Sequence, residues 1–304
     1  MNNNSLFEKV LIIGVGMIGA SIAKALRNFK LTDQIIGFDV SRHVIEKSKK
    51  LNIADQFIDN IETTKENYDL IIISSPLGTY KEIFSILNNI IKQKCIVTDV
   101  GSTKLSTVLD FNNNCKNKFI HFVPGHPIAG IEKSGPEHGF AELFKNRYCI
   151  LTPENTNDPG VDLVIQMWET FGMKVEIMKA ERHDRVLAMT SHLPHLIAYS
   201  IVATAKELEG HMKDDVIKYS AAGFRDFTRL AGSDPTMWRD VYILNKEAVL
   251  EMLGRFNEDL SSLQKAIRNE ESSFLEKMFT STKKIRNMIE IAGQAGTFDP
   301  REKK

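Results

Sequence analysis

The residues best suited to chemistry are a few imidazoles, hydroxyls and guanidiniums set among glycines and prolines. His126 stands in Gly125-His126-Pro127-Ile128-Ala129-Gly130-Ile131-Glu132-Lys133-Ser134-Gly135-Pro136, directly after an apolar run. Rigid proline and permissive glycine around one imidazole predict a loop that holds the ring in place. Histidine is the usual acid or base near neutral pH. A lone loop histidine is more often a solvated surface residue, but its place after a strand favours a cleft role. Ser102 lies in Thr98-Asp99-Val100-Gly101-Ser102-Thr103-Lys104, where another apolar run ends; its plainer role is a helix N-cap, which a residue at a cleft edge can combine with a chemical one. His192, His195 and Tyr199 fall at i, i+3 and i+7 on one helical face, with Pro194 interrupting the backbone donors between them. A metal reading of the two histidines lacks the carboxylate pattern that would accompany it, so the choice is between hydrogen-bonded core histidines and a site residue at His195. Gly223-Phe224-Arg225-Asp226-Phe227-Thr228-Arg229 gathers two guanidiniums beside a glycine. Such groups suit bidentate capture of a carboxylate, or a surface ion pair with Asp226. Arg239 follows in Trp238-Arg239-Asp240.

These groups need a scaffold, and the sequence supplies one at its start. The β-branched run Val10–Ile13 enters Gly14-Val15-Gly16-Met17-Ile18-Gly19, and an amphipathic segment, Ala20–Phe29, follows at once. In a dinucleotide fingerprint Gly14 makes the tight turn, Gly16 admits a pyrophosphate and Gly19 lets helix pack on strand. The free N–H groups and dipole of the helix then face the phosphates, with Met17 and Ile18 in its first turn. Asp39 closes a second apolar run, Ile35–Phe38, where an acidic side chain accepts hydrogen bonds from the ribose hydroxyls of NAD and repels the 2′-phosphate of NADP. NAD is therefore expected over NADP. Ser74-Ser75-Pro76, with Asp99 and Gly101, end further strands on the edge where an open α/β sheet binds its ligand, and their small side chains leave room for a nicotinamide.

Strand-like runs at Val10–Ile13, Ile35–Asp39, Leu70–Ser74, Ile96–Asp99 and Phe119–Phe122 alternate with helical patterns at Ser41–Leu51, Thr79–Lys92 and Lys104–Phe111. Such alternation predicts a doubly wound parallel sheet, a Rossmann-type α/β domain over 7–179, with Val161–Phe171 as a helix and Lys174–Met178 as its last strand. From Glu181 onward the pattern turns helical, punctuated at Gly210, Gly223, Gly232 and Gly254. An all-α second domain is expected over 180–293, and a polar tail over 294–304. The apolar periodicity of Asn245–Met278 suits a buried dimer interface or an ordinary helical core.

Composition narrows the class. Lys plus Arg and Asp plus Glu each number 39, so no basic field attracts nucleic acid. Three cysteines, Cys95, Cys115 and Cys149, without CxxC spacing argue against a disulfide framework or zinc site, and no metal is expected. The same cysteine usage fits a reducing cytoplasm, and no signal sequence or membrane span is expected.

Taken together, GSTK at Gly101–Lys104, GHPIAG at Gly125–Gly130, EKSG at Glu132–Gly135, SHLPH at Ser191–His195 and GFRDFTR at Gly223–Arg229 resemble the prephenate/arogenate dehydrogenase family. The resemblance spans Val10 to Arg286. It implies NAD-dependent oxidation and decarboxylation of a cyclohexadienyl ring on the route to tyrosine, by a homodimer interlocked through its helical domain. It also implies roles: His126 drawing off the 4-hydroxyl proton, Ser102 helping to hold His126, and His195 and Arg229 positioning substrate, with Gly223 and Arg225 nearby. Ile131 departs from the threonine of many relatives, which bears on substrate preference. Two other classes fit parts of the chain: a β-hydroxyacid or pyrroline-carboxylate reductase of similar plan, and a non-catalytic NAD(H) sensor.

Overall fold

The computed structural model describes residues 5–64, 66–131, 133–207, 215–216 and 218–291. Glu132 of the EKSG stretch, Gly210, Gly293 and the polar tail 294–304 lie outside the described residues.

The first strand, β1 (Phe7–Ile13), is buried from Val10 onward and leads through the glycine turn into α1 (Met17–Asn28). There follow β2 (Thr32–Phe38), α2 (Arg42–Lys50), β3 (Gln56–Phe57), β4 (Leu70–Ile73), α3 (Tyr80–Ile90), β5 (Cys95–Asp99), α4 (Leu105–Asn114) and β6 (Ile120–Val123). These six strands form one parallel sheet in the order β3-β2-β1-β4-β5-β6, with Ile12 beside Gly37 on one side and Ile72 on the other. Alternate residues feed opposite cores: Val10, Ile12 and Ile72 join one, Leu11, Ile13 and Ile71 the other. Burial on both faces is why these strands read as unbroken apolar runs.

A second, three-stranded sheet lies in the order β7 (Gly125–Pro127), β8 (Tyr148–Leu151) and β9 (Lys174–Ile177), with α5 (Pro159–Thr170) between the last two. Two expectations change here. Lys174–Ile177 belongs to this small sheet and not to the parallel one, because it pairs with β8. His126 lies on a strand and not on a loop: it pairs antiparallel with Ile150. With two and three residues, β3 and β7 are too brief for periodicity to announce them.

The helical part begins with α6 (Ala180–Leu187), passes through a π-helical turn at Ala188–His192 and continues as α7 (Leu193–Glu207). Ala180–Glu207 is long and apolar enough, by length and composition alone, to cross a bilayer. Its buried residues include the polar side chains of His183, Asp184 and His192. Next come α8 (Ala222–Thr228), a 3₁₀ turn at Arg229–Gly232 that packs on α7, and α9 (Pro235–Leu244), capped by the Asp234 side chain accepting from the Met237 N–H. Trp238 and Val241 of α9 share a core with Leu77 and Tyr80 of the sheet domain.

Packing divides the chain after Lys246. The helices from Ala180 to Leu244 thus belong to the same compact unit as both sheets, although the change from α/β to helical pattern falls at the expected 179–180 join. The second unit, from Glu247, holds nearly all of α10 (Lys246–Arg268) and the whole of α11 (Ser272–Ile291). No residue of α11 is buried, and Phe274, Phe279, Ile285, Met288, Ile289 and Ile291 are exposed on it.

Candidate active site

The glycine turn is built as a backbone cradle. Gly14 sits at φ +92°, a conformation that excludes most side chains, and a Cβ there would meet the Ser75 amide at 2.6 Å. A Cβ on Gly19 would lie 2.1 Å from the Gly14 carbonyl oxygen, so helix and strand approach as only glycine permits. Gly16 is different: a Cβ there would meet nothing within 4 Å, and α1 begins beside it with no side-chain cap and no acidic residue in its first turn. Open space in front of uncapped amide groups fits a pyrophosphate. Met17 and Ile18 are half-buried beside it.

Asp39 lies at the end of β2 with Oδ2 accepting from the Val15 N–H at 3.1 Å and Oδ1 from the Ser41 N–H at 2.9 Å. It therefore ties the glycine turn to the neighbouring strand end. The cap of α2 is Ser41, not Asp39. A carboxylate has about four lone-pair sites, so two remain for ribose hydroxyls. Arg42 is exposed alongside. Ser74, expected to make room for a nicotinamide, instead donates its hydroxyl to the Gly14 carbonyl at 2.6 Å and buttresses the turn. Ser75 pairs with Thr79 at 2.8 Å, and Pro76 is exposed at the start of the turn that follows.

Asp99 is a correction. The sequence places it among the cofactor contacts, yet it is fully buried and accepts three hydrogen bonds from protein donors. Oδ2 accepts from the Gly101 N–H (2.8 Å) and from Lys104 Nζ (2.5 Å), and Oδ1 from the Gly125 N–H (3.1 Å). Lys104, also fully buried, gives a further hydrogen bond to the Gly125 carbonyl at 2.6 Å. Burial lowers the Lys104 pKa and Asp99 works against that shift. The pair grips both the N–H and the C=O of the residue just before His126, which fixes where β7 starts. Gly101 is packed so closely that a Cβ would meet Leu77 Cδ2 at 2.5 Å.

His126 follows β6 on the edge where the parallel strands end, the same edge as the glycine turn after β1. Its Nδ1 lies 2.8 Å from Nε2 of His183, whose own Nδ1 lies 2.7 Å from Asp184 Oδ1. The Asp184 carboxylate also accepts the N–H groups of Lys104 (2.8 Å) and Leu105 (2.9 Å), capping α4 from a helix remote in sequence. Burial holds His126 well below the ordinary histidine range, and the neighbouring His183, Lys104 and His192 add to that effect. His126 Nε2 has no protein partner among the described residues. Ser102 makes no hydrogen bond to His126, and α4 starts after Lys104, so the expected cap at Ser102 is not formed; the backbone N–H groups there are already satisfied by Asp184.

A second imidazole group adjoins this chain. Asn245 donates to the Asp184 carbonyl (2.9 Å) and to His192 Nδ1 (3.1 Å), which leaves the proton of neutral His192 on Nε2. That N–H, and the indole N–H of Trp238, are buried with no acceptor. An orphaned buried donor costs about 1–3 kcal/mol, so the two mark a place for an acceptor that a ligand can bring. Burial lowers His192 to about 4. His195 stacks on Trp238 at 3.8 Å between ring centroids, and His192 lies edge-on to the same indole at 6.0 Å. The Nδ1 of His195 donates to the Ser191 carbonyl at 2.9 Å, and its Nε2 has no hydrogen-bond partner among the described residues.

The arginines are more open. Arg225 is 72% exposed at 3.6 Å from Asp226, a surface ion pair. Arg229 is exposed on the 3₁₀ turn that packs on the helix carrying His195, and Gly223 is exposed with nothing near it. Tyr199 anchors that region by donating to the Ser233 carbonyl at 2.8 Å. Arg239 is held by Asp240, which also receives the Gly78 N–H.

The structure thus brings His126 together with three residues not singled out for chemistry, Lys104, His183 and Asp184, and with Asn245. A signal for two of them was present. Ala180, His183, Asp184 and Leu187 share one helical face, and a polar pair on the apolar face of a helix is an informative exception.

Comparison with known proteins agrees with this plan. The nucleotide-binding domain family of prephenate dehydrogenase matches residues 22–177, and the dimerization domain family of prephenate dehydrogenase matches 179–281. A cyclohexadienyl dehydrogenase of Zymomonas mobilis is 35% identical over 93% of this chain and 96% of its own. A prephenate dehydrogenase of Bacillus subtilis is 31% identical over 95% of this chain and 78% of its own. Among solved structures, a prephenate dehydrogenase of Aquifex aeolicus, in complex with hydroxyphenyl propionate and NAD+, has a TM-score of 0.85 at 38% identity over 93% of this chain and 98% of that one. The arogenate dehydrogenase of Synechocystis has a TM-score of 0.74 at 25% identity over 92% of this chain and 99% of that one. The sheet, its cradle and the histidine-bearing helices therefore place this chain in the prephenate dehydrogenase family.

Proposed function

We propose that the chain is an NAD-dependent dehydrogenase that oxidises and decarboxylates prephenate, arogenate or both, on the route to tyrosine in the cytoplasm. The observation that carries this reading is His126: a neutral imidazole anchored at Nδ1, with Nε2 unpartnered, on the same sheet edge as an open cradle for a dinucleotide. The two parts of the chain divide the work, with cofactor binding over 7–179 and substrate binding and dimerisation over 180–293. The exposed apolar residues of α11 support a homodimer.

Gly14, Gly16 and Gly19 hold the pyrophosphate, and Asp39 reads the ribose and disfavours NADP. When bound, NAD supplies the acceptor for the hydride that leaves ring carbon 4. His126 Nε2 takes the proton of the 4-hydroxyl as its carbon becomes a carbonyl. Loss of carbon dioxide then drives electrons through the ring to that oxygen, and the phenolate regains the proton from His126. The proton is borrowed and returned, so the site needs no exit for it. Aromatisation supplies the driving force, and positioning is the main task of the protein. Arg229 and His195 hold the substrate carboxylates, with Arg225 and Gly223 beside them, and the orphaned N–H groups of His192 and Trp238 offer further donors. Ser102, half-buried next to Gly101, gives a further hydrogen bond to the substrate in this reading.

The test is NADH formation with prephenate and with arogenate, side by side. Turnover of at least one is expected, and the ratio of the two kcat/KM values gives the preference. Failure with both would redirect the chain to reductases of similar plan.

A further inference from the structure

Asp184 takes hydrogen bonds from two backbone N–H groups, Lys104 and Leu105, and a carboxylate can only accept. The His183 nitrogen facing it at 2.7 Å must therefore carry a proton on Nδ1. Asp184 fixes the single proton of a neutral His183 ring on Nδ1, which makes its Nε2 the acceptor, and burial favours that neutral form. The His126 nitrogen facing that acceptor at 2.8 Å must then be the donor. His126 is left with a bare lone pair on Nε2. With both rings neutral, the proton positions follow in order from the Asp184 carboxylate.

We infer that Asp184 and His183 are positioning residues that lock His126 into the Nδ1–H tautomer, so that Nε2 is always the base. Together they also give the imidazolium formed during turnover a counter-charge relayed through one neutral ring. This rests on the reading of His126 as the base and adds how that base is prepared. The surroundings are built to preserve the arrangement. The backbone just before His126 is gripped by Asp99 and Lys104, and Asn245 holds the Asp184 carbonyl. Without the relay, a neutral imidazole divides itself between two tautomers, one of which offers the substrate hydroxyl an N–H and no base. Because the proton returns to the phenolate, the pair has only to hold a charge briefly.

The test uses three variants of the full chain, each checked for a cooperative melt, together with 15N spectroscopy of the imidazoles, with His126→Asn used to assign the His126 signals. In the free wild-type protein His126 should show a protonated Nδ1 and an unprotonated Nε2; a proton found on Nε2 overturns the inference, whatever the activity. His183→Phe removes the acceptor and should lower kcat on the order of a hundredfold, with both KM values little changed. His183→Gln supplies an amide oxygen in its place and should be at least about tenfold faster than His183→Phe. Asp184→Asn keeps an acceptor for the cap of α4 but removes the counter-charge, and should lower kcat about tenfold or more at unchanged KM. Equal activity of His183→Gln and His183→Phe, or an unaltered kcat in Asp184→Asn, overturns the inference. If the wild-type chain turns over neither substrate, the functional reading fails, and the spectroscopy still decides the tautomer.

Discussion

The cofactor cradle and the histidine cluster occupy the same edge of the sheet and are built on opposite plans. The cradle is local. Gly14 to Gly19 are contiguous, the key contacts are made by backbone, and what matters is the absence of side chains. The histidine cluster is assembled from β5, α4, β7 and α6, with its hydrogen bonds bridging dozens of residues and its work done by buried charged and polar groups. A local turn tolerates change around it as long as its glycines stay. A cluster of mutually satisfied buried groups does not, because removing one partner strands another in a low-dielectric interior.

The largest expected effect tests that contrast directly. Lys104→Met leaves Asp99 charged and without its cation at the centre of the site, and should cost about 3–5 kcal/mol of stability, read as the denaturant midpoint. A loss within about 0.5 kcal/mol, the usual surface value, would show that the cluster is not held by this pair.

Next is His126→Asn, which should lower kcat on the order of a hundredfold or more while NAD affinity holds. A drop below about tenfold would remove His126 from the mechanism. The same residue sets the pH profile. A base must be neutral, and burial lowers the His126 pKa, so the acid limb of kcat/KM for the wild type should fall below pH 6.5. A limb at or above the ordinary histidine value would contradict the buried setting.

Arg229→Ala removes a carboxylate contact present in ground and transition states alike, so KM for the ring substrate should rise by about tenfold with kcat nearly constant. An unchanged KM would move that role to Arg225 or Arg239. The smallest effect is expected at the cradle's edge. Asp39→Ser should ease discrimination against NADP, raising kcat/KM with NADP several-fold relative to NAD, on the order of 1 kcal/mol. If the ratio does not move, the contacts of Asp39 to Val15 and Ser41 are its whole function.

How far the sequence could be read follows from the same contrast. The parallel sheet was legible because burial on both faces makes its strands apolar throughout, and the cradle because its glycines are adjacent. His126 and the hydroxyls of Ser74 and Ser75 could be placed at strand ends, but not the direction in which each hydroxyl points. Ser74 turns to the Gly14 carbonyl, and Asp99 turns inward to Lys104. Nothing in the order of residues distinguishes a carboxylate that faces a cleft from one that faces a buried ammonium. The strand carrying His126 reads as a loop because three residues show no period, and its pairing with Ile150 depends on a partner in a remote segment.

By itself the sequence determined what is fixed by neighbours along the chain: a glycine turn between strand and helix, an acidic residue at the end of the next strand, and a change to helical periodicity after residue 179. Tertiary structure alone decided which polar groups meet. The link from Asp184 through His183 to His126 joins residues that share no motif, and it forms because α6 turns its polar pair inward against the start of α4 and the end of the sheet. Hydrogen-bond partners are selected by distance in space, where a difference of an ångström separates a bond from a mere neighbour, and separation along the chain carries no record of it.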